Sequence, residues 1–162
     1  MRIVILLLII LFSSKSFSQN GFTRGLLSIV NDSENGFQNF RGSFKESPDS
    51  SLKYYYSVFT LQGTSQNYIV HHRYIDSYDA IVCDSVNEKK GEEILDMWNV
   101  KVSSTLSGEF RLKENKILAG SPFVAKWEYE RGNVSVFIGL SQYINNPSIY
   151  AVMLYVSHEI LR

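Results

Sequence analysis

The stretch FVAKWEYERGNVSVFIGLSQYINNPSIYAVMLYV, residues 123–156, decides the fold class of this chain. Every second residue from Phe123 to Tyr129 is apolar, and the residues between them include Lys126 and Glu128. This period of two is typical of a β-strand with one buried face. The stretch therefore begins with a half-buried strand.

Two turn segments divide the rest of this stretch. Arg131-Gly132-Asn133 and Asn145-Asn146-Pro147 are both rich in turn-forming residues. They separate two further strands, which we predict over residues 134–140 and 149–156. Because the connections are short, the three strands should pair as an antiparallel meander.

Upstream of the meander, apolar spacing predicts two helices and three more strands. Ser85-Val86-Asn87-Glu88 matches a capping box, and Gly108 stands where a helix C-terminus favours glycine. Phe37, Phe40 and Phe44 indicate a short helical turn or a strap over the core. The predicted elements are a helix over 21–34, strands over 54–61, 68–75 and 78–83, and a helix over 87–107.

The resulting order is α-β-β-β-α-β-β-β, which predicts a single α+β domain over residues 19–162. One curved antiparallel sheet packed against two helices accounts for that order. The order is similar to that of the type III secretion chaperone-like fold. The likeness is one of element order, so no residue or activity is transferred from it.

The first eighteen residues predict a signal peptide. Arg2 is followed by ten apolar residues, Ile3 to Phe12, and by small residues at Ser16 and Ser18. Ten apolar residues are about half of what a membrane-spanning helix needs, so no stable anchor is expected after cleavage. The pattern predicts export to the periplasm of a Gram-negative bacterium, or secretion.

Charge and cysteine content limit the function classes. Loss of Arg2 and Lys15 with the leader leaves 14 basic against 16 acidic residues, which disfavours nucleic-acid binding. Cys83 is the single cysteine, so the fold has no intrachain disulfide. We expect Cys83 to be a small buried residue within the apolar segment 80–83.

The search for chemistry yields no catalytic constellation and no cofactor or metal site. His71 and His72 are adjacent in a predicted strand, so they point to opposite faces and cannot share one metal. The alternative function left open is an exported hydrolase with a dispersed site, in which His72 acts with Cys83 or a serine. A third possibility is a subunit of an envelope assembly whose sheet edge pairs with a partner strand.

The remaining signal is a surplus of aromatic residues in the predicted strands. Some should line a groove, where ring faces and hydroxyl groups suit peptides, sugars or lipids. We therefore expect a small non-enzymatic binding or interaction protein that holds a peptide, a protein partner or an apolar ligand. The candidate ligand-binding residues are Tyr54, Tyr56, Tyr68, His72, Tyr74, Trp127 and Tyr129.

Overall fold

The protein forms one open antiparallel sheet of eight strands with two helices packed on it. The computed structural model describes residues 21–45, 47, 51–113, 121 and 123–160. The predicted signal peptide lies outside these residues. The strands are β1 Arg41–Lys45, β2 Leu52–Ser57, β3 Gln66–His72, β4 Ile75–Val86, β5 Arg111–Leu112, β6 Phe123–Arg131, β7 Val134–Tyr143 and β8 Asn146–Glu159.

The strand order is β1-β2-β3-β4-β8-β7-β6-β5. The two sequential groups of strands therefore meet where β4 pairs with β8, at the centre of the sheet. The register at this junction pairs Tyr78 with Val156 and Ala80 with Leu154. All four side chains are buried, so the junction is part of the core.

Both helices cover the same face of the sheet, which we call the helix face. Helix α1 spans residues 21–32, and α2 is Glu88–Leu106. Alternate strand residues face them, because side chains along a strand point to opposite sides. The helix residues of the core are Phe22, Leu26, Ile29, Val30, Leu95, Trp98, Val102 and Leu106, and the strand residues include Ile69, Tyr78, Ala80, Val134, Val136, Ile138, Leu140, Val152, Leu154 and Val156.

The α+β class and the C-terminal meander are confirmed, but the sheet has two strands more than the sequence predicted. The residues of β1 and β5 carry no clear alternation, since β1 contains Gly42 and β5 has only two residues. Phe40 ends a short 3-10 helix, and Phe44 lies in β1 with its ring largely exposed. The segment from Phe37 to Phe44 is therefore a 3-10 turn followed by an edge strand.

The predicted capping box at the start of α2 is wrong. Strand β4 continues to Val86, and Ser85 has a backbone φ of 57° within it. The N-cap is Asn87 instead, whose side chain accepts a hydrogen bond from the Lys90 N–H. Ser85 cannot cap the helix because the chain is still paired with β8 at Val86.

The face of the sheet opposite the helices, which we call the open face, carries no described helix. Two of its residues, Val70 and Ala151, are nevertheless buried. Large neighbouring side chains therefore cover parts of this face. Within the described ranges, no helix has the length and hydropathy needed to cross a bilayer.

Candidate functional site

One row of residues crosses the open face from strand to strand. The register pairs Tyr56 with Tyr68, Tyr68 with Asp79, and Asp79 with Tyr155. It continues from Tyr155 to Phe137 and from Phe137 to Glu128. Directly paired side chains in a sheet have Cβ atoms about 5 Å apart. These six residues, which we call the central row, therefore form one line of four rings, with Asp79 between the Tyr68 and Tyr155 rings and Glu128 at the end.

Asp79 is the carboxylate at the middle of the sheet. Its neighbours in the row are Tyr68 on β3 and Tyr155 on β8, and the Ser77 hydroxyl donates a hydrogen bond of 2.6 Å to it. Burial raises the pKa of Asp79 to about 7, and the hydrogen bond from Ser77 offsets this only in part. The group is therefore poised between its neutral and charged forms near neutral pH.

An aromatic cluster lies beside Asp79 toward β6. The rings of Phe123 and Phe137 are 4.7 Å apart, and each is within 6.0 Å of the Tyr155 ring. Gly139 makes this packing possible, because a Cβ there would lie 2.7 Å from Phe137 Cζ and 2.8 Å from Phe123 Cδ1. Burial also raises the pKa of Tyr155, as does the negative charge of Asp79.

An apolar groove adjoins the central row at the end of the open face. It encloses about 390 Å³, and we call it the hairpin groove. Its floor is formed by open-face residues of three central strands, and its rim is the β7–β8 turn. The residues that line it are Ile81, Ser141, Gln142, Tyr143, Ile144, Asn145, Ala151 and Met153.

The rim of the hairpin groove is held in place by a hydrogen bond. The Tyr143 hydroxyl donates to the Asp84 carboxylate, which joins the β7–β8 turn to the end of β4. Next to it, Ile144 is 92% exposed. A fixed turn that presents an exposed aliphatic side chain beside an apolar groove has the features of a binding surface.

The structure brings five of the seven predicted site residues together at the β2–β3 side of the sheet. Tyr54 and Tyr56 on β2 lie beside Tyr68 and His72 on β3, as the register shows. Tyr74 follows in the β3–β4 turn, where its ring contacts that of His72 at 6.0 Å. These five residues form one aromatic region at the β2–β3 side of the sheet.

Trp127 and Tyr129 lie apart from the other five, on the helix face. Tyr129 is buried in the core, and its hydroxyl donates a 2.5 Å hydrogen bond to Asn99 of α2. Trp127 packs against the core and lines a cleft beside Glu92 and Asp96 of α2. Their alternation along β6 places them with the core residues.

The alternative catalytic pairing of His72 with Cys83 is not brought together by the register. The pairs His71–Asp76 and Gln66–Ile81 show that His72 and Cys83 lie at opposite ends of the β3–β4 hairpin. His72 is level with Ile75, and Ile75 lies eight residues before Cys83 on β4, which corresponds to about 26 Å. Burial also raises the pKa of the Cys83 thiol, which favours the unreactive protonated form.

The two adjacent histidines have separate environments. His71 Nδ1 lies 2.5 Å from Asp76 Oδ1, and His72 contacts Tyr74 on the open side. Among the described residues, no three His, Cys, Asp or Glu side chains are arranged to hold a metal ion.

Sequence reasoning missed Asp79, Phe137, Tyr155 and the hairpin groove. The alternation in β7 and β8 assigns Phe137 and Tyr155 to the face opposite the core. This alternation could be recognised in the sequence. The pairing of β4 with β8, which brings Asp79 beside Tyr155, joins segments about 75 residues apart and has no local sequence pattern.

No family model, curated protein or solved structure matches this chain.

Proposed function

We propose that this protein is an exported, non-enzymatic binding protein that holds a small apolar ligand in the hairpin groove. The observation that carries the proposal is an apolar groove on a sheet face that the two helices leave uncovered. Its volume of about 390 Å³ lies within the range of small-molecule sites. Export is the expectation from residues 1–18.

The lining chemistry supports an apolar ligand. Ile81, Ala151 and Met153 supply aliphatic and thioether surface, and methionine adapts to ligands of different shape. The Tyr143 hydroxyl already donates its proton to Asp84, so it is not free to donate a hydrogen bond to a polar ligand. Burial of the exposed Ile144 side chain against a ligand would add a favourable hydrophobic contribution.

Filling the groove should weaken ligand binding. We expect Ser141→Phe to weaken binding of the neutral fluorescent probe N-phenyl-1-naphthylamine at least about tenfold, because the phenyl ring would occupy groove volume. Probe fluorescence is titrated with protein purified after expression of the full chain. Ser135→Phe is the matched control, since Ser135 is also on the open face of β7 but lies six residues from Ser141.

The exposed rim gives a second variant that leaves the core untouched. Ile144→Ser should weaken probe binding a few-fold, because it removes apolar contact at the rim. Probe binding that is unchanged in both Ser141→Phe and Ile144→Ser would refute the groove as the site. Native mass spectrometry of the same protein should show an additional mass that Ser141→Phe reduces.

A further inference from the structure

The outer rings of the central row already bind cations supplied by the chain. On one side, Lys45 Nζ lies 4.1 Å from the centre of the Tyr68 ring and 5.8 Å from that of Tyr56. On the other side, Lys126 Nζ lies 5.5 Å from the centre of the Phe137 ring. The negative face of an aromatic ring attracts a positive charge at such distances.

Asp79 and Tyr155, at the middle of the central row, differ from the outer rings in their charged neighbours. Among the described residues, the ion pairs and cation–ring contacts formed by Lys45, Lys113 and Lys126 are made with groups other than Asp79 and the Tyr155 ring. Yet Asp79 is the carboxylate between Tyr68 and Tyr155, where a cation would be attracted most strongly. Asp79 is half-buried, and a partly desolvated carboxylate is costly unless a positive charge or hydrogen bonds compensate it. Among the described residues, the Ser77 hydroxyl donates one hydrogen bond to it.

We propose that the ligand of the hairpin groove is an amphiphile with a cationic ammonium head, which binds between the Asp79 carboxylate and the Tyr155 ring. This inference rests on the proposed function, because the groove is taken to hold the apolar part of the same ligand. A positive head is attracted both by the carboxylate charge and by the face of the ring, whereas a neutral head has neither of these two attractions.

The groove and the head site are continuous along two strands. Ile81 follows Asp79 by two residues on β4, and Met153 precedes Tyr155 by two residues on β8, so each pair lies on the open face about 7 Å apart. The Tyr155 hydroxyl donates a 3.1 Å hydrogen bond to Met153 Sδ. A short alkyl chain in the groove therefore places its head beside Asp79.

The titration of Asp79 makes the binding dependent on pH. The groups that face Asp79 are Tyr68 from β3, Tyr155 from β8 and Ser77 from its own strand, and Tyr54 lies near Tyr155. Because the pKa of Asp79 is raised to about 7, the carboxylate is mostly protonated at pH 6 and mostly ionised at pH 8. Affinity for an ammonium should therefore rise with pH, by up to about tenfold per pH unit below the pKa.

Calorimetric titration with two probes of equal chain length tests whether the site prefers a cationic head group. We use decyltrimethylammonium and decanol, both below their aggregation limits. At pH 8 the ammonium should bind at least about tenfold more tightly than decanol, and Asp79→Asn should abolish this preference. Glu159→Gln is the matched control, since it removes the same charge from an exposed residue at the end of the open face.

The outcomes distinguish failure of the cationic-head proposal from failure of the groove proposal. Equal affinity for both probes, or a preference that survives Asp79→Asn, would overturn the cationic head while leaving the groove in place. Binding of decanol at pH 8 without binding of the ammonium would overturn the cationic head directly. Loss of the preference in Asp79→Asn, with retained decanol binding and an unchanged Glu159→Gln control, would support it.

Discussion

Replacement of Trp98 by alanine is expected to lower the free energy of unfolding by about 3–5 kcal/mol, the usual range for removal of a buried aromatic side chain. Trp98 is 3% exposed, and its ring meets the Phe22 ring of α1 edge-on at 5.3 Å. A Cβ at Gly63 would lie 3.1 Å from Trp98 Cζ2, so the indole also supports the β2–β3 turn. The substitution would leave a cavity where three elements meet.

Urea unfolding followed by circular dichroism measures this change. Met97→Ala is the matched control, because Met97 is the preceding residue of α2 and is 51% exposed. It should change the free energy of unfolding by less than about 0.5 kcal/mol. If Trp98→Ala were as mild as Met97→Ala, the indole would not be the anchor between α1 and α2.

The helix that carries Trp98 shows how far local pattern predicts structure. Apolar spacing predicted a helix over 87–107, and within α2 the residues Trp98, Val102 and Leu106 are buried on one face. The same reasoning predicted the alternation of β6, β7 and β8. Such signals are reliable because burial of one face imposes a period on neighbouring residues.

The open face could not be predicted in the same way. It depends on the register between β4 and β8, which brings Asp79 beside Tyr155. Asp79 carried no signal of its own, since a single acid in a polar-apolar alternation is usually exposed to solvent. Trp127 and Tyr129 are the opposite case, because they were grouped with the other aromatics by residue type and their phase along β6 places them on the helix face.

The second large effect concerns Asp79 and pH. Its pKa rises from an ordinary 3.8 to about 7 on folding. Below about pH 4 the carboxyl is protonated in both states and has no effect. Between about pH 4 and 7 the unfolded chain releases the proton while the folded chain keeps it, so stability falls as pH rises. At about 1.4 kcal/mol for each unit of pKa, this difference of about 3 corresponds to at most about 4 kcal/mol above pH 7, and partial solvent exposure of Asp79 reduces the expected loss to about 2–4 kcal/mol.

Asp79→Asn should remove this loss, because the amide is neutral at every pH and its oxygen can still accept the Ser77 hydrogen bond. We expect the variant and the natural chain to be similarly stable at pH 4, and the variant to be more stable by about 2–4 kcal/mol at pH 8. Urea unfolding at pH 4, 6 and 8 measures the difference, with Glu159→Gln as the control for loss of one charge.

Parallel pH profiles for Asp79→Asn and the natural chain would show that the carboxyl titrates normally. A bound ammonium should stabilise the natural chain more at pH 8 than at pH 6, because only the ionised carboxylate attracts it.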